Sequence, residues 1–202
     1  VERWLVFRSN QGTDAHLAEA GALSAIQPYS SIIAKGTVLR KPTKIPLRHT
    51  IFSINDETAE VDCAAFEPTG TLRKIAEQLV VGDVIEIYGA VRTRLKTERL
   101  TVNLEKINII TLSPKVVYGN PMCPACGKRL ESMGKDKGYR CKKCGTKYRK
   151  AEKTGSIEER NINPGLYISS TGSQRHLTKP FRRYGQEKKR MEERNLIEGW
   201  HS

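Results

Sequence analysis

Apolar and polar positions alternate through the middle of the chain. In "SSIIAKGTVL" (30–39), "HTIFSIND" (49–56) and "AEVDCAAF" (59–66), apolar side chains recur near every second position, the period of a strand with one face buried. The period then changes. Leu72, Ile75, Ala76 and Leu79 in "TLRKIAEQLVVGD" fall at helical spacing, and Gly82 suits the end of that helix. Period two returns in "DVIEIYGAV", with Ile85, Ile87 and Val91 on one face, and in "RLTVNLEKINII", with Leu100, Val102 and Leu104. Three strands, a helix and two further strands is the element order of an OB-fold, a five-stranded barrel. The expected fold is therefore mainly β, with this barrel over residues 29–118. Cys63 is in phase with Val61 and Ala65 and reads as a small buried hydrophobe.

The flanks read differently. Residues 1–28 begin at Val1 rather than Met, in the middle of a strand-like stretch containing "WLVF" (4–7), so a longer chain is expected upstream. A polar turn follows, with Arg8, Asn10, Gln11, Thr13, Asp14 and His16 crowded around Gly12, and then an alanine-rich linker to Pro28. Turn chemistry accounts for Asn, Gly and Asp, less well for Arg and His. At the other end, residues 151–202 form a basic, partly helical tail. "SQRHLTKPFRRYG" interleaves basic residues with His176, Phe181 and Tyr184, a pattern of segments that order on RNA, or equally of a flexible surface tail. "QEKKRMEERNLIEGW" is a charged amphipathic helix candidate with Leu196 and Trp200 on its apolar side.

Between barrel and tail lies the densest chemistry. Cys123-x2-Cys126 and Cys141-x2-Cys144 are separated by fourteen residues containing the turn "GKDKG", which defines a four-cysteine zinc ribbon over residues 119–150. Gly127 and Gly145 follow the two pairs and allow the positive φ that turns amide N–H groups toward the sulfurs. Four thiolates leave no open coordination position, so the expected Zn2+ is structural. Paired cysteines in a cytoplasmic protein favour such a site over a disulfide framework.

Charge decides what the two modules would hold. The chain has a net charge of +13, of which residues 119–150 carry +8. A field that concentrated favours a polyanion. An OB-fold grips single strands through its first and last inter-strand loops. Arg40, Lys41, Lys44 and Arg48 fall in the first, and Arg92, Arg94, Lys96 and Arg99 in the last. Lys142 and Lys143 in the ribbon, and Arg182 and Arg183 in the tail, extend the candidate RNA-binding set. Phe66 and Tyr88 point away from the predicted core, as stacking platforms or as packed edge residues. No apolar run approaches the roughly 18 residues that span a bilayer, so a membrane partner is not expected.

"FRSNQGTDAHL", an OB-fold, "CPACGKRLESMGKDKGYRCKKCG" and "RHLTKPFRRYG", in this order, resemble the C-terminal half of the archaeal tRNA(Ile) agmatidine (2-agmatinylcytidine) synthetases. That resemblance implies residues 1–28 are the end of a ferredoxin-like domain plus linker, with a kinase-like catalytic domain further upstream. It implies a ligase that uses ATP to activate C2 of the wobble cytidine in an isoleucine tRNA with a CAU anticodon, agmatine then displacing the phosphate. ATP and agmatine would bind largely outside these residues, and the segment alone would hold tRNA without catalysis or an obligate protein partner. Arg8, Asn10, Asp14 and His16 would be candidates to reach the active-site cleft. Two alternatives remain: a single-stranded DNA-binding protein joining OB-folds to zinc modules, and a structural ribbon in a transcription or translation assembly.

Overall fold

The structure, a computed structural model, describes residues 9–46, 49–93 and 99–186. The described residues up to Thr111, with those from Pro164 onward, form one compact unit, and Leu112–Asn163 form a second.

The first unit is built on strands β1 (Ala18–Glu19), β2 (Ser31–Ile45), β3 (His49–Asn55), β4 (Glu60–Ala65), β5 (Val84–Thr93) and β6 (Leu100–Thr111), with helix α1 (Thr71–Ala76) between β4 and β5. Pairings run from β2 through β3 to β4, from β4 in parallel to β6, and from β6 through β5 back to β2. This is the OB-fold topology read from the alternation. Its core holds Val38, Phe52, Ile54, Cys63, Ile87 and Val102, each at most 2 % exposed. The helical-period residues Leu72, Ile75, Ala76 and Leu79 pack into the same core, although the regular helix stops at Ala76. Burial, more than the neighbouring Asp62, pushes the Cys63 thiol far above its ordinary pKa, which leaves it unreactive at neutral pH.

Three departures from the sequence pattern matter for function. β2 does not end at Leu39. It continues to Ile45, with register irregularities between Val38 and Arg40 and between Arg40 and Thr43. Pro42 sits in that irregular stretch, where its missing N–H breaks no ladder bond. Arg40, Lys41 and Lys44 therefore ride on a strand extension, and the basic loop expected over residues 40–48 is much shorter.

The second departure is a β-bulge in β6. Tyr88 of β5 pairs with Lys106 but Gly89 pairs with Leu104, so Glu105 is an extra residue. Leu104 and Ile107 both remain in the core on either side of it. Gly89 permits the close approach, since a Cβ there would lie 2.2 Å from the Asn103 carbonyl oxygen.

The third departure is that part of the expected tail joins the barrel. Strand β12 (Gly165–Ile168) pairs antiparallel with Lys106–Ile109 of β6, and Ser169 N–H donates to Glu105 O at 3.0 Å. The helix candidate around Leu196 and Trp200 lies outside the described residues.

The second unit is larger than the expected 119–150. Strands β7 (Lys115–Gly119) and β11 (Thr154–Glu158) pair antiparallel as a stem. The ribbon between them has three two-residue strands, β8 (Glu131–Ser132), β9 (Tyr139–Arg140) and β10 (Lys147–Tyr148), with β9 central. The stem pairing brings residues on both sides of the expected boundaries into one unit.

A carboxylate fixes the turn between β3 and β4. Asp56 accepts from the Thr58 hydroxyl (2.6 Å) and from the amides of Leu23 (2.8 Å), Ala59 (2.9 Å) and Thr58 (2.7 Å). Led by the Thr58 hydroxyl, these donors hold the Asp56 carboxyl well below the ordinary carboxylate pKa. A depressed carboxylate contributes stability above its unfolded pKa, near 3.8, and loses that contribution as the pH falls below it. Urea unfolding of Asp56→Ala at pH 7 and across pH 4 to 2 should therefore show a lower midpoint at neutral pH and a shallower loss of stability on acidification.

Candidate nucleic-acid interface and metal centre

In the second unit, the four cysteine Sγ atoms lie within 4.8 Å of one another. Cys123 and Cys144 Sγ are 3.6 Å apart, and Cys126 and Cys141 Sγ 3.4 Å apart. A tetrahedral Zn2+ with bonds near 2.3 Å sets its sulfurs about 3.8 Å apart, so the cluster fits such an ion. The knuckles are formed as their glycines require. Gly127 (φ 67°) and Gly145 (φ 76°) donate to Cys123 O (2.8 Å) and Cys141 O (2.9 Å). The Tyr148 hydroxyl, 3.4 Å from Cys123 Sγ, leads the interactions that hold the Cys123 thiol down to about 6, so a thiolate is available at neutral pH. Cys123, Leu130 and Cys141 are the buried centre of this ribbon, with Tyr139, Tyr148 and Ala151 packed around them. Three short strands and so few buried side chains make an inadequate core without metal.

In the first unit, the bulge in β6 organises a buried polar cluster. It delivers two consecutive charged side chains, Glu105 and Lys106, to one group of partners outside the apolar core. Glu105 Oε2 is 3.0 Å from His16 Nε2 and accepts from the Thr178 hydroxyl at 3.2 Å, while Arg175 Nε lies 3.2 Å from Oε1. The fully buried Lys106 ammonium donates to Asp14 Oδ2 and to the Tyr184 hydroxyl (2.8 Å). Asp14 Oδ1 accepts from Lys179 N–H at 2.7 Å. Burial lowers the Lys106 pKa, and Asp14 works against that shift. Gly12 and Asp14 amides donate to His176 O and Leu177 O, both at 2.8 Å, so the opening and closing motifs meet backbone to backbone on β6.

This cluster changes the role open to several predicted residues. Asp14 and His16 are tied to β6, through Lys106 and Glu105. Asn10 is exposed, and Arg8 lies outside the described residues. Arg183 donates to the carbonyls of Gln11 and Gly12, which anchors it to the opening turn, while Arg182 is exposed.

The predicted barrel cations divide in the same way. Register places Arg40, Ser53 and Asp62 side by side on three strands, and Arg40 binds Ser53 Oγ (2.9 Å), Asp62 (3.1 Å) and Glu60. Lys44 pairs with Glu77 at 2.9 Å, and in the ribbon Lys142 pairs with Glu131 at 2.6 Å. Lys41, Arg92, Arg99 and Lys143 are exposed with no acidic partner among the described residues. Arg48, Arg94 and Lys96 lie outside them. The predicted aromatic platforms are engaged: Phe66 packs edge-on against His49 at 5.0 Å, and Tyr88 donates to Glu86 with Lys106 beside its ring. Among the exposed aromatics that sequence reasoning missed are Tyr118 and Tyr29, the latter with Arg92 over its ring.

An OB-fold followed in the chain by a basic four-cysteine ribbon places the protein in the nucleic-acid-binding class. Residues 32–110 match the model of an OB-fold nucleic acid binding domain, and residues 120–162 the TiaS C-terminal zinc ribbon domain. TiaS of Methanosarcina mazei, a 2-agmatinylcytidine synthetase of isoleucine tRNA, is 43% identical over 90% of this chain and 41% of its own length. A crystal structure of TiaS in complex with isoleucine tRNA and ATP matches with TM-score 0.67 and 38% identity over 86% of this chain and 39% of that one. A complex of TiaS with isoleucine tRNA, AMPCPP and agmatine matches with TM-score 0.63 and 34% identity over 86% and 38%. The chain belongs to the TiaS family, and it spans about two fifths of the length of the relatives it matches. Among the described residues no helix is long and apolar enough to cross a membrane.

Replacing Cys126 by Ser, or chelating the metal, should unfold the ribbon while the first unit stays folded, because zinc contributes on the order of 10 kcal/mol to modules of this size. Amide spectra of Leu112–Asn163 before and after chelation read this directly, and unchanged spectra would exclude a structural metal.

Proposed function

We propose that this chain is the tRNA-holding part of a cytoplasmic, ATP-dependent ligase that joins agmatine to C2 of the wobble cytidine of an isoleucine tRNA with a CAU anticodon. The observation that carries the reading is similarity at about 40% identity, through both the OB-fold and the ribbon, to enzymes named as 2-agmatinylcytidine synthetases of isoleucine tRNA. Relatives solved with that tRNA, with ATP and with agmatine support the partner and both co-substrates.

The chemistry asks for what this chain offers. A base must leave its stack before C2 can be reached, and an anticodon loop lowers that cost because it is already single-stranded. The tRNA must then be held while the base is out. Two basic modules on one polypeptide do this economically, since each raises the effective concentration of the other on a single tRNA. Zn2+ is the metal assigned to Cys123, Cys126, Cys141 and Cys144, and its contribution there is to fold the ribbon. Lys41, Arg92, Arg99, Lys143 and Arg182 are the assigned phosphate-binding residues. Catalysis is assigned to parts of the enzyme beyond this chain. The single-stranded DNA-binding alternative is not favoured by these relatives.

Binding should be strongly salt-dependent. Replacing Lys41, Arg92 and Arg99 together by Ala should weaken affinity for the isoleucine tRNA transcript. It should also flatten the log–log salt plot by up to about one unit for each phosphate no longer neutralised. A chain that binds the transcript no better than duplex DNA of equal charge would contradict the tRNA reading.

A further inference from the structure

The turn that leads into β2 holds a residue that its own geometry disfavours. Residues Gln27–Ser30 form a turn closed by Ser30 N–H (3.3 Å) and by Ser30 Oγ–H (2.6 Å), both donating to Gln27 O. Pro28 occupies the second position and Tyr29 the third, at φ 64°. Proline followed by a positive φ is the type II pattern, whose third residue is ordinarily Gly or Asn. A bulky side chain there is a backbone outlier.

Packing does not offset that strain. The Tyr29 side chain is 75% exposed, more than any other large apolar residue described. The backbone, by contrast, is pinned: Tyr29 N–H donates to Val91 O (3.0 Å), and Val91 N–H donates to Ser30 O (2.8 Å). The next residue, Arg92, places its guanidinium 5.8 Å from the Tyr29 ring centroid. An exposed ring is thus carried on a pinned, strained backbone beside an exposed cation near the end of β5.

We infer that Tyr29 is a stacking platform for one unpaired nucleobase of the bound RNA, with Arg92 beside it to meet the adjoining phosphate. The inference rests on the RNA-holding role proposed above and specifies where a base, as opposed to the backbone, is touched. Every base has a π-face, so such a platform selects unpaired over paired nucleotides without reading sequence.

Glycine separates a binding role from a structural one, because it relieves the positive φ while removing the ring. The chain and its Tyr29→Gly and Tyr29→Trp variants would be titrated with the isoleucine tRNA transcript, a short mixed-sequence single-stranded RNA, and duplex RNA of equal charge. Tyr29→Gly should weaken single-stranded RNA binding by about five- to a hundredfold. Its salt slope and duplex binding should be unchanged and its thermal midpoint equal or higher, while Tyr29→Trp retains affinity. Single-strand affinity within twofold of the parent, or a lowered midpoint in Tyr29→Gly, overturns the platform but leaves the tRNA-holding role standing. Failure of the parent chain to bind any RNA removes both.

Discussion

The first unit depends on one buried interaction, the Lys106 ammonium held between Asp14 and Tyr184 with no access to water. A lone buried ammonium is costly, so its partners must be in place whenever the barrel is folded. Those partners come from the opening turn and the closing segment, about 170 residues apart in sequence. Glu105, delivered to the same cluster by the bulge, recruits His16, Arg175 and Thr178. The barrel thereby becomes a clasp that binds both flanks of the chain to one strand. Asp14 and His16, from the opening motif, are parts of that clasp.

That arrangement sorts the positive charge into two kinds. Arg40, Lys44, Lys142 and Arg183 are occupied by the protein's own acids and carbonyls, which fixes their positions and reduces what they offer a ligand. Lys41, Arg92, Arg99, Lys143 and Arg182 remain available on both units. In the ribbon the metal takes the place of a core, so the basic residues carried by residues 119–150 can face outward without a large apolar interior behind them. Net charge alone would overstate the interface. The exposed cations, with the exposed ring of Tyr29, make the proposed footprint narrower than that.

Periodicity made most of the barrel legible. Ile85, Ile87 and Val91 share the face expected of them, and Leu72 to Leu79 bury as one stripe, because a one-sided core leaves a regular mark on sequence. The cysteine spacing was as informative, since four thiolates have one geometry to satisfy. The bulge left a mark that the expected strand pattern passed over: in "LEKIN" two polar residues stand between Leu104 and Ile107 where period two allows one, and the pairing partner identifies Glu105 as the extra residue. The extension of β2 through Pro42 was hidden because a basic, proline-containing stretch has the composition of a loop. Asp14 and His16 read as candidate site residues because a buried ion-pair network draws on the residue types that catalysis uses. Tyr29 did carry a signal, Pro-Tyr where the turn calls for Pro-Gly, but it is interpretable only once φ is known.

The clasp is tested most directly by a double-mutant cycle on Asp14 and Lys106, with stability of the first unit followed by urea-dependent hydrogen exchange in β6 and β12. Lys106→Ala alone should cost about 3 kcal/mol or more, because it leaves the Asp14 carboxylate without its counter-charge. The Asp14→Ala, Lys106→Ala double variant should recover at least about 1 kcal/mol of the summed single losses. Losses that add to within about 0.5 kcal/mol would mean that the two ends of the chain are not held to the barrel through this pair.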